Sequence, residues 1–220
     1  MRALEAELRD GLGQLGLVLT VDQISHLLDY QALLQKWTRV YNLTAVRDPA
    51  EMLTHHLLDS LAVIASLRKH LATLGEVSGG VRLLDVGSGA GLPGVVIAIC
   101  CPEITVHCVD TVGKKAAFIQ QVAVSLKLSN LRGIHARVES LTDKYQVVCS
   151  RAFASLTDFA NWSRGALADR GVWLAMKGKH PATEITALAP EVEVFHVEQL
   201  LVPGLDAERC LVWMRSSLAV

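Results

Sequence analysis

Val81-Arg82-Leu83-Leu84-Asp85-Val86-Gly87-Ser88-Gly89-Ala90-Gly91-Leu92-Pro93-Gly94 decides the fold of this chain. An apolar strand ends in an acid, three glycines alternate, and a proline opens a helical run. Glycine accepts positive φ and lets a ligand come close to the backbone. A strand feeding a tight glycine turn and then a helix is the nucleotide-binding corner of an open α/β sheet. The spacing bears on which nucleotide. The dinucleotide fingerprint asks for glycine or alanine three residues after its second glycine, and Leu92 stands there.

Downstream, the rhythm is strand, helix, strand. Strands are expected at Val81–Val86, Ile104–Val109, Leu131–Val138, Gln146–Ser150, Val172–Lys177, Glu193–Glu198 and Cys210–Met214. Helices are expected at Pro93–Cys101, Lys114–Leu128, Ser155–Ala168 and Pro181–Leu188. The early strands are continuous apolar runs, as parallel strands buried on both faces are. Only Val202-Pro203-Gly204-Leu205-Asp206 separates the last two, too little for a parallel crossover, so they read as an antiparallel pair.

Upstream, the chain reads as helices. Thr20-Val21-Asp22-Gln23 fits a capping box, and Ile24, Leu27, Leu28, Gln31, Leu34, Trp37 and Tyr41 follow on one helical face. Tyr41-Asn42-Leu43-Thr44 is a break. Asp48-Pro49-Ala50-Glu51 is a second helix start, with the helix expected to run to about Lys69. In His55-His56-Leu57-Leu58-Asp59-Ser60, His56 and Asp59 share a face and are expected to form a local hydrogen bond. Leu74 to Gly80 is the linker. The organisation is therefore a helical extension over 1–80 packed on a sheet domain over 81–220.

Of the 220 residues, 51% are apolar and 20% charged, which excludes a disordered chain. No apolar run approaches the roughly 18 residues of a membrane span. The charged start Met1-Arg2-Ala3-Leu4-Glu5-Ala6-Glu7 lacks a signal-peptide core, so a cytoplasmic location and no membrane association are expected. A net charge of −1 leaves any nucleic-acid binding to a local basic patch. Cys100, Cys101, Cys108, Cys149 and Cys210 form no C-x-x-C pair and read as buried small hydrophobes, so no metal is expected.

The pattern Asp85-x-Gly87-x-Gly89-x-Gly91 resembles the first motif of the S-adenosylmethionine-dependent methyltransferases, and seven strands with an antiparallel ending resemble their layout. In that reading Gly87, Gly89 and Gly91 carry the methionine end of the cofactor. Asp110, about 20 residues past the glycines, is placed to accept both ribose hydroxyls, a role shared with dinucleotide sites. Val138 and Glu139, beyond the third strand, are placed to frame an adenine. The fourth strand ends in Ser150-Arg151-Ala152-Phe153, whereas methyltransferases acting on exocyclic amines mostly place Asn or Asp with Pro-Pro-Tyr there. Ring N7 of guanine has an in-plane lone pair and no proton to remove, so its methylation needs alignment and water exclusion rather than a base. Arg151 is the candidate catalytic residue, with the cofactor, guanine O6 or a phosphate as its partner; a structural ion pair is the alternative. Lys177-Gly178-Lys179-His180, with Lys36, Arg39, Arg47, Lys114 and Lys115, could form a basic rim for phosphates.

Taken in order, Trp37 with Tyr41-Asn42-Leu43-Thr44, His56-x-Leu58-Asp59-Ser60, the glycine motif, Ser150-Arg151-Ala152 and Lys177-Gly178 resemble the bacterial ribosomal small subunit methyltransferase G family (glucose-inhibited division protein B). The match covers nearly the whole chain, with a slightly long loop at Leu71–Gly80. The resemblance implies a Rossmann-like class I methyltransferase that methylates N7 of guanine 527 in 16S ribosomal RNA, with S-adenosylmethionine as donor. It implies cofactor contacts at Gly87, Leu92, Val138, Glu139 and Arg151, and the RNA or the small ribosomal subunit as partner; separately, a monomer is expected. The residues alone leave open a small-molecule methyltransferase with a helical lid, a nicotinamide-dependent dehydrogenase and a non-enzymatic RNA-binding module.

Overall fold

The computed structural model describes residues 2–217; Met1 and 218–220, the outer ends of the two expected segments, lie outside it. Seven strands form one sheet: β1 (Arg82–Val86), β2 (Thr105–Asp110), β3 (Leu131–His135), β4 (Tyr145–Arg151), β5 (Leu167–Lys177), β6 (Val192–Leu200) and β7 (Arg209–Ser216). Their order is β3-β2-β1-β4-β5-β7-β6. Pairing is parallel from β3 through β5, and β7 runs antiparallel to both β5 and β6. The order reverses between β1 and β4, where open α/β sheets hold their ligands.

Strand side chains alternate between the two faces. Leu83, Val106, Cys108, Val147, Cys149 and Leu174 point into one core, and Leu84, Val86, Val109, Val148, Trp173 and Ala175 into the other. The first core also holds the helical segment: α1 (Arg2–Gln14), α2 (Val21–Tyr41) and α5 (Ile64–Leu71), together with α6 (Gly94–Cys100) and α7 (Gly113–Ser125). The second is covered by α8 (Leu156–Ser163). All five cysteines are free and buried. Among the described residues, no helix is long and apolar enough to cross a membrane.

The helix starts follow their caps. Thr20 and Gln23 form the reciprocal capping box of α2, and Asp48 accepts the amides of Ala50 and Glu51 before α3 (Pro49–Met52). The buried face of α2 is Ile24, Leu27, Tyr30, Gln31, Leu34 and Thr38. Tyr41, expected on that face, is exposed, because Asn42 turns left-handed (φ 50°) and ends the helix there.

Three expected elements differ. The helix after Asp48 does not run unbroken to Lys69. A wide π-helical turn at Leu53–Leu58 and a short α4 (Asp59–Leu61) precede α5. Strand β3 ends at His135 rather than Val138, because β2 runs out at Asp110, the partner of His135; Val138–Ser140 form a 3-10 turn instead. The helix expected to reach Ala168 ends earlier, because Leu167 is drawn into β5 by pairing with Tyr145.

Candidate active site

The glycine turn leaves β1 with positive φ at Gly87 (66°), Gly89 (57°) and Gly91 (90°), a backbone path that side chains with a Cβ rarely follow. It is lashed to the sheet, since the Gly87 and Ser88 amides both donate to Val109 O, at 2.9 and 3.2 Å. Behind it, Asp85 is fully buried, and its Oδ2 accepts the Gly94 amide at 2.9 Å, fixing the start of α6. A Cβ on Gly94 would lie 2.8 Å from that oxygen, so only glycine fits. Burial raises the Asp85 carboxyl to about 7. From the helical segment, the buried Tyr30 hydroxyl donates to Ala90 O at 2.7 Å. The extension therefore holds the loop directly, a link that the α2 face read from periodicity did not include.

Asp110 closes β2 beside the turn. Its Oδ2 accepts the Gly89 amide at 2.9 Å and its Oδ1 the Val112 amide at 2.8 Å. A carboxylate has about four lone-pair sites, so acceptor capacity remains for hydroxyl groups. Val138 is buried in the same core as Val86 and Val109, at the ends of β1 and β2, while Glu139 is exposed on its 3-10 turn. Leu92 turns its side chain into the core, and its amide is spent on Ser88 O. Among the described residues, space is open above Gly89, where no atom outside the turn approaches an ideal Cβ, and the buried Ser88 hydroxyl has no partner. This open face, with the Ser88 hydroxyl in the turn and the Asp110 carboxylate at its rim, fits an S-adenosyl nucleoside.

Beyond β4 lies a cleft of about 460 Å³, lined by segments far apart in sequence. Arg151, at the end of β4, donates through Nη1 to Asp59 Oδ2 (2.8 Å) and to His55 O (2.9 Å). Arg209, at the start of β7, donates to Asp59 Oδ1 (2.8 Å). Buried Asp59 thus clamps two guanidiniums from two strands. The π turn makes this possible. The Asp59 amide bonds to Thr54 O and His56 O and skips the α-helical partner His55 O, which is left for Arg151. Such wide turns are frequent at functional sites.

The expected His56–Asp59 hydrogen bond does not form. His56 Nε2 instead meets Thr44 Oγ1 at 2.7 Å, and its buried Nδ1 has no partner among the described residues. Burial first, and then the Arg151 charge, lower His56 to about 4, so the ring is neutral near pH 7. Phe153 joins the cleft to the glycine turn, because its ring occupies the space where a Gly87 Cβ would lie, 2.6 Å from Cδ2. Lys177 lines the cleft and pairs with Glu184 at 2.8 Å. The basic rim does not form as one patch. Lys115 lies 3.6 Å from Asp110, Lys36 and Lys114 are exposed, and Arg39 and Arg47 line a separate cavity. Arg209 was not singled out from sequence, since an arginine opening a late strand carries no local signal, and Phe153, quoted in the fourth-strand ending, was given no role there.

The rRNA small subunit methyltransferase G profile matches residues 23–212. The ribosomal RNA small subunit methyltransferase G of Albidiferax ferrireducens is 69% identical over 222 residues, covering 99% of each chain. Its counterpart in a Polaromonas species is 67% identical over 219 residues, covering 100% of this chain and 96% of that one. Among solved structures, TrmN from Thermus thermophilus aligns with a TM-score of 0.55 at 18% identity, over 74% of this chain and 53% of that one. That last likeness concerns the fold alone.

Proposed function

This chain belongs to the rRNA small subunit methyltransferase G family, and on that premise we propose that it transfers a methyl group to N7 of guanine 527 in 16S ribosomal RNA. It is an S-adenosylmethionine-dependent methyltransferase of small-subunit ribosomal RNA. The glycine turn, Asp110, Val138 and Glu139 hold the donor: the open face over Gly89 takes the methionine end, Asp110 the ribose, and Val138 with Glu139 the adenine. Leu92 supports the turn from below, and Gly87 brings it against Phe153. Arg151 stands at the donor's edge of the cleft. The helical extension over 1–80 steadies the loop through Tyr30. The protein works as a cytoplasmic monomer without a metal.

The observation that carries N7 is the spent state of the buried carboxylate in the cleft, Asp59. Asp59 gives one oxygen to Arg151 and the other to Arg209. His56 gives its Nε2 to Thr44. N7 uses an existing lone pair and releases no proton, so a cleft whose buried carboxylate is already paired suffices. The bound donor supplies an electrophilic methyl on a sulfonium. The chain's own part is to orient the guanine, exclude water and keep the two reacting atoms in line. Because the base gains positive charge, the aromatic face of Phe153 is a better neighbour for it than a guanidinium.

The test is purified protein, S-adenosylmethionine and either naked 16S RNA or small subunits lacking the modification, followed by borohydride and aniline cleavage. Strand scission at guanine 527 is expected. No scission on either substrate overturns the reading.

A further inference from the structure

A second cavity, of about 210 Å³, lies between α2 and α3, lined by Gln35, Thr38, Arg39, Arg47, Pro49 and Met52. Thr38 is 1% exposed, and among the described residues its hydroxyl has no hydrogen-bond partner. Leaving such a group unpaired is unfavourable, and one that persists calls for a partner. Arg47 Nη2 donates to Asn42 Oδ1 at 2.7 Å, which fixes its guanidinium near the end of α2. Among the described residues, neither Arg39 nor Arg47 is paired with a carboxylate. The adjacent Asp48 turns its Oδ1 to the amides of Ala50 and Glu51. Two guanidiniums, a hydroxyl and the Gln35 amide, with no carboxylate among the lining residues, form a donor set for a phosphate.

The cavity is close to the active cleft along one continuous segment. Met52 lines the cavity, and His55 and His56 line the cleft. Met52 and His56 are four residues apart in the sequence, about one helical turn. We propose that this cavity seats a backbone phosphate of the RNA substrate, flanking the nucleotide that enters the active cleft. This rests on the RNA reading above. Arg39 and Arg47 hold the phosphate, and Thr38 satisfies its hydroxyl on a phosphate oxygen. The contact gives register on the strand and not base choice.

The test is the dissociation constant of 16S RNA measured by filter binding across salt concentrations, with S-adenosylhomocysteine present, for the wild type, Arg39→Gln/Arg47→Gln and Thr38→Val. The double variant is expected to bind RNA roughly tenfold more weakly at low salt and to lose about one unit of salt slope. Its affinity for S-adenosylhomocysteine is expected to match the wild type. Thr38→Val is expected to weaken RNA binding while keeping or raising Tm, because the unpaired hydroxyl is gone. An unchanged salt slope in the double variant overturns the proposal. So does a lowered Tm in Thr38→Val with unchanged RNA binding, which would make the hydroxyl structural. If inorganic phosphate raises the wild-type Tm but the RNA slope is unchanged in the double variant, the site holds a free anion and the RNA seat is overturned. A wild type that binds RNA but yields no scission breaks the functional reading instead, and leaves the salt-slope result to stand by itself.

Discussion

The glycine turn and the arginine cleft lie side by side and are built in opposite ways. The turn is one contiguous stretch, Asp85 to Gly94, whose geometry comes from residue types in fixed order. The cleft gathers His55, Asp59, Arg151, Lys177 and Arg209 from four places in the chain. In the turn, buried backbone amides are satisfied by neighbours a few residues away and by the ends of adjacent strands. In the cleft, one buried carboxylate organises side chains 92 and 150 residues distant. A local device tolerates little substitution, because backbone shape is at stake. A composite device shares its load, so removing one partner leaves the other in place.

The contrast can be broken most sharply at Gly89. Gly89→Asp forces a side chain onto a left-handed backbone and puts a negative charge into the open space above the turn. Loss of measurable S-adenosylhomocysteine binding by calorimetry is expected; wild-type affinity would show that the donor lies elsewhere.

Asp85 tests the rear of the same turn. Burial raises its carboxyl from 3.8 to about 7, so between pH 4 and 7 the folded chain keeps a proton that the unfolded chain has released. The stability this lends is complete below pH 4 and is lost as pH rises through 7. Asp85→Asn should therefore gain on the wild type in urea melts as pH rises, by at most ~4 kcal/mol at 1.36 kcal/mol per pKa unit. His56, lowered to about 4, acts in the opposite sense in both proteins and cancels in the difference. A pH-independent difference would show that Asp85 is already ionised.

Arg151→Ala probes the shared load. Asp59 keeps Arg209, so the fold should hold, while kcat/KM falls about a hundredfold, roughly 2.7 kcal/mol. Full activity would reduce Arg151 to a structural ion pair, and unfolding would show that Arg209 cannot carry Asp59 alone. The smallest expected effect is at Tyr30→Phe, where Ala90 O loses a buried donor. That should cost about 1–2 kcal/mol in stability and raise KM for S-adenosylmethionine; no change in either would mean that the extension does not steady the loop.

The seven strands, the capping box of α2 and the glycine turn all follow from signals spanning fewer than a dozen or so residues: apolar runs, cap residues and glycine spacing. Asp110 was placed by its distance from the glycines, and the structure bonds it to Gly89. The π turn at Leu53–Leu58 could not be read the same way, since apolar spacing alone suggests an unbroken helix there. Its register is tied to a guanidinium arriving from β4. Tyr41 and the end of β3 diverged for a related reason. A helix stops where a left-handed cap allows it, and a strand stops where its neighbour runs out.

By itself, then, the sequence determined the sheet, its glycine turn and the family, because backbone conformation there is set by nearest neighbours and by which residues lack a Cβ. Only the tertiary structure decided that Asp59 faces two arginines, that Tyr30 holds Ala90 and that Phe153 lies on Gly87. Those contacts join residues 60 to 150 positions apart. Their partners are selected by which strand ends meet at one edge of the sheet, a fact of topology that no short stretch of the chain contains.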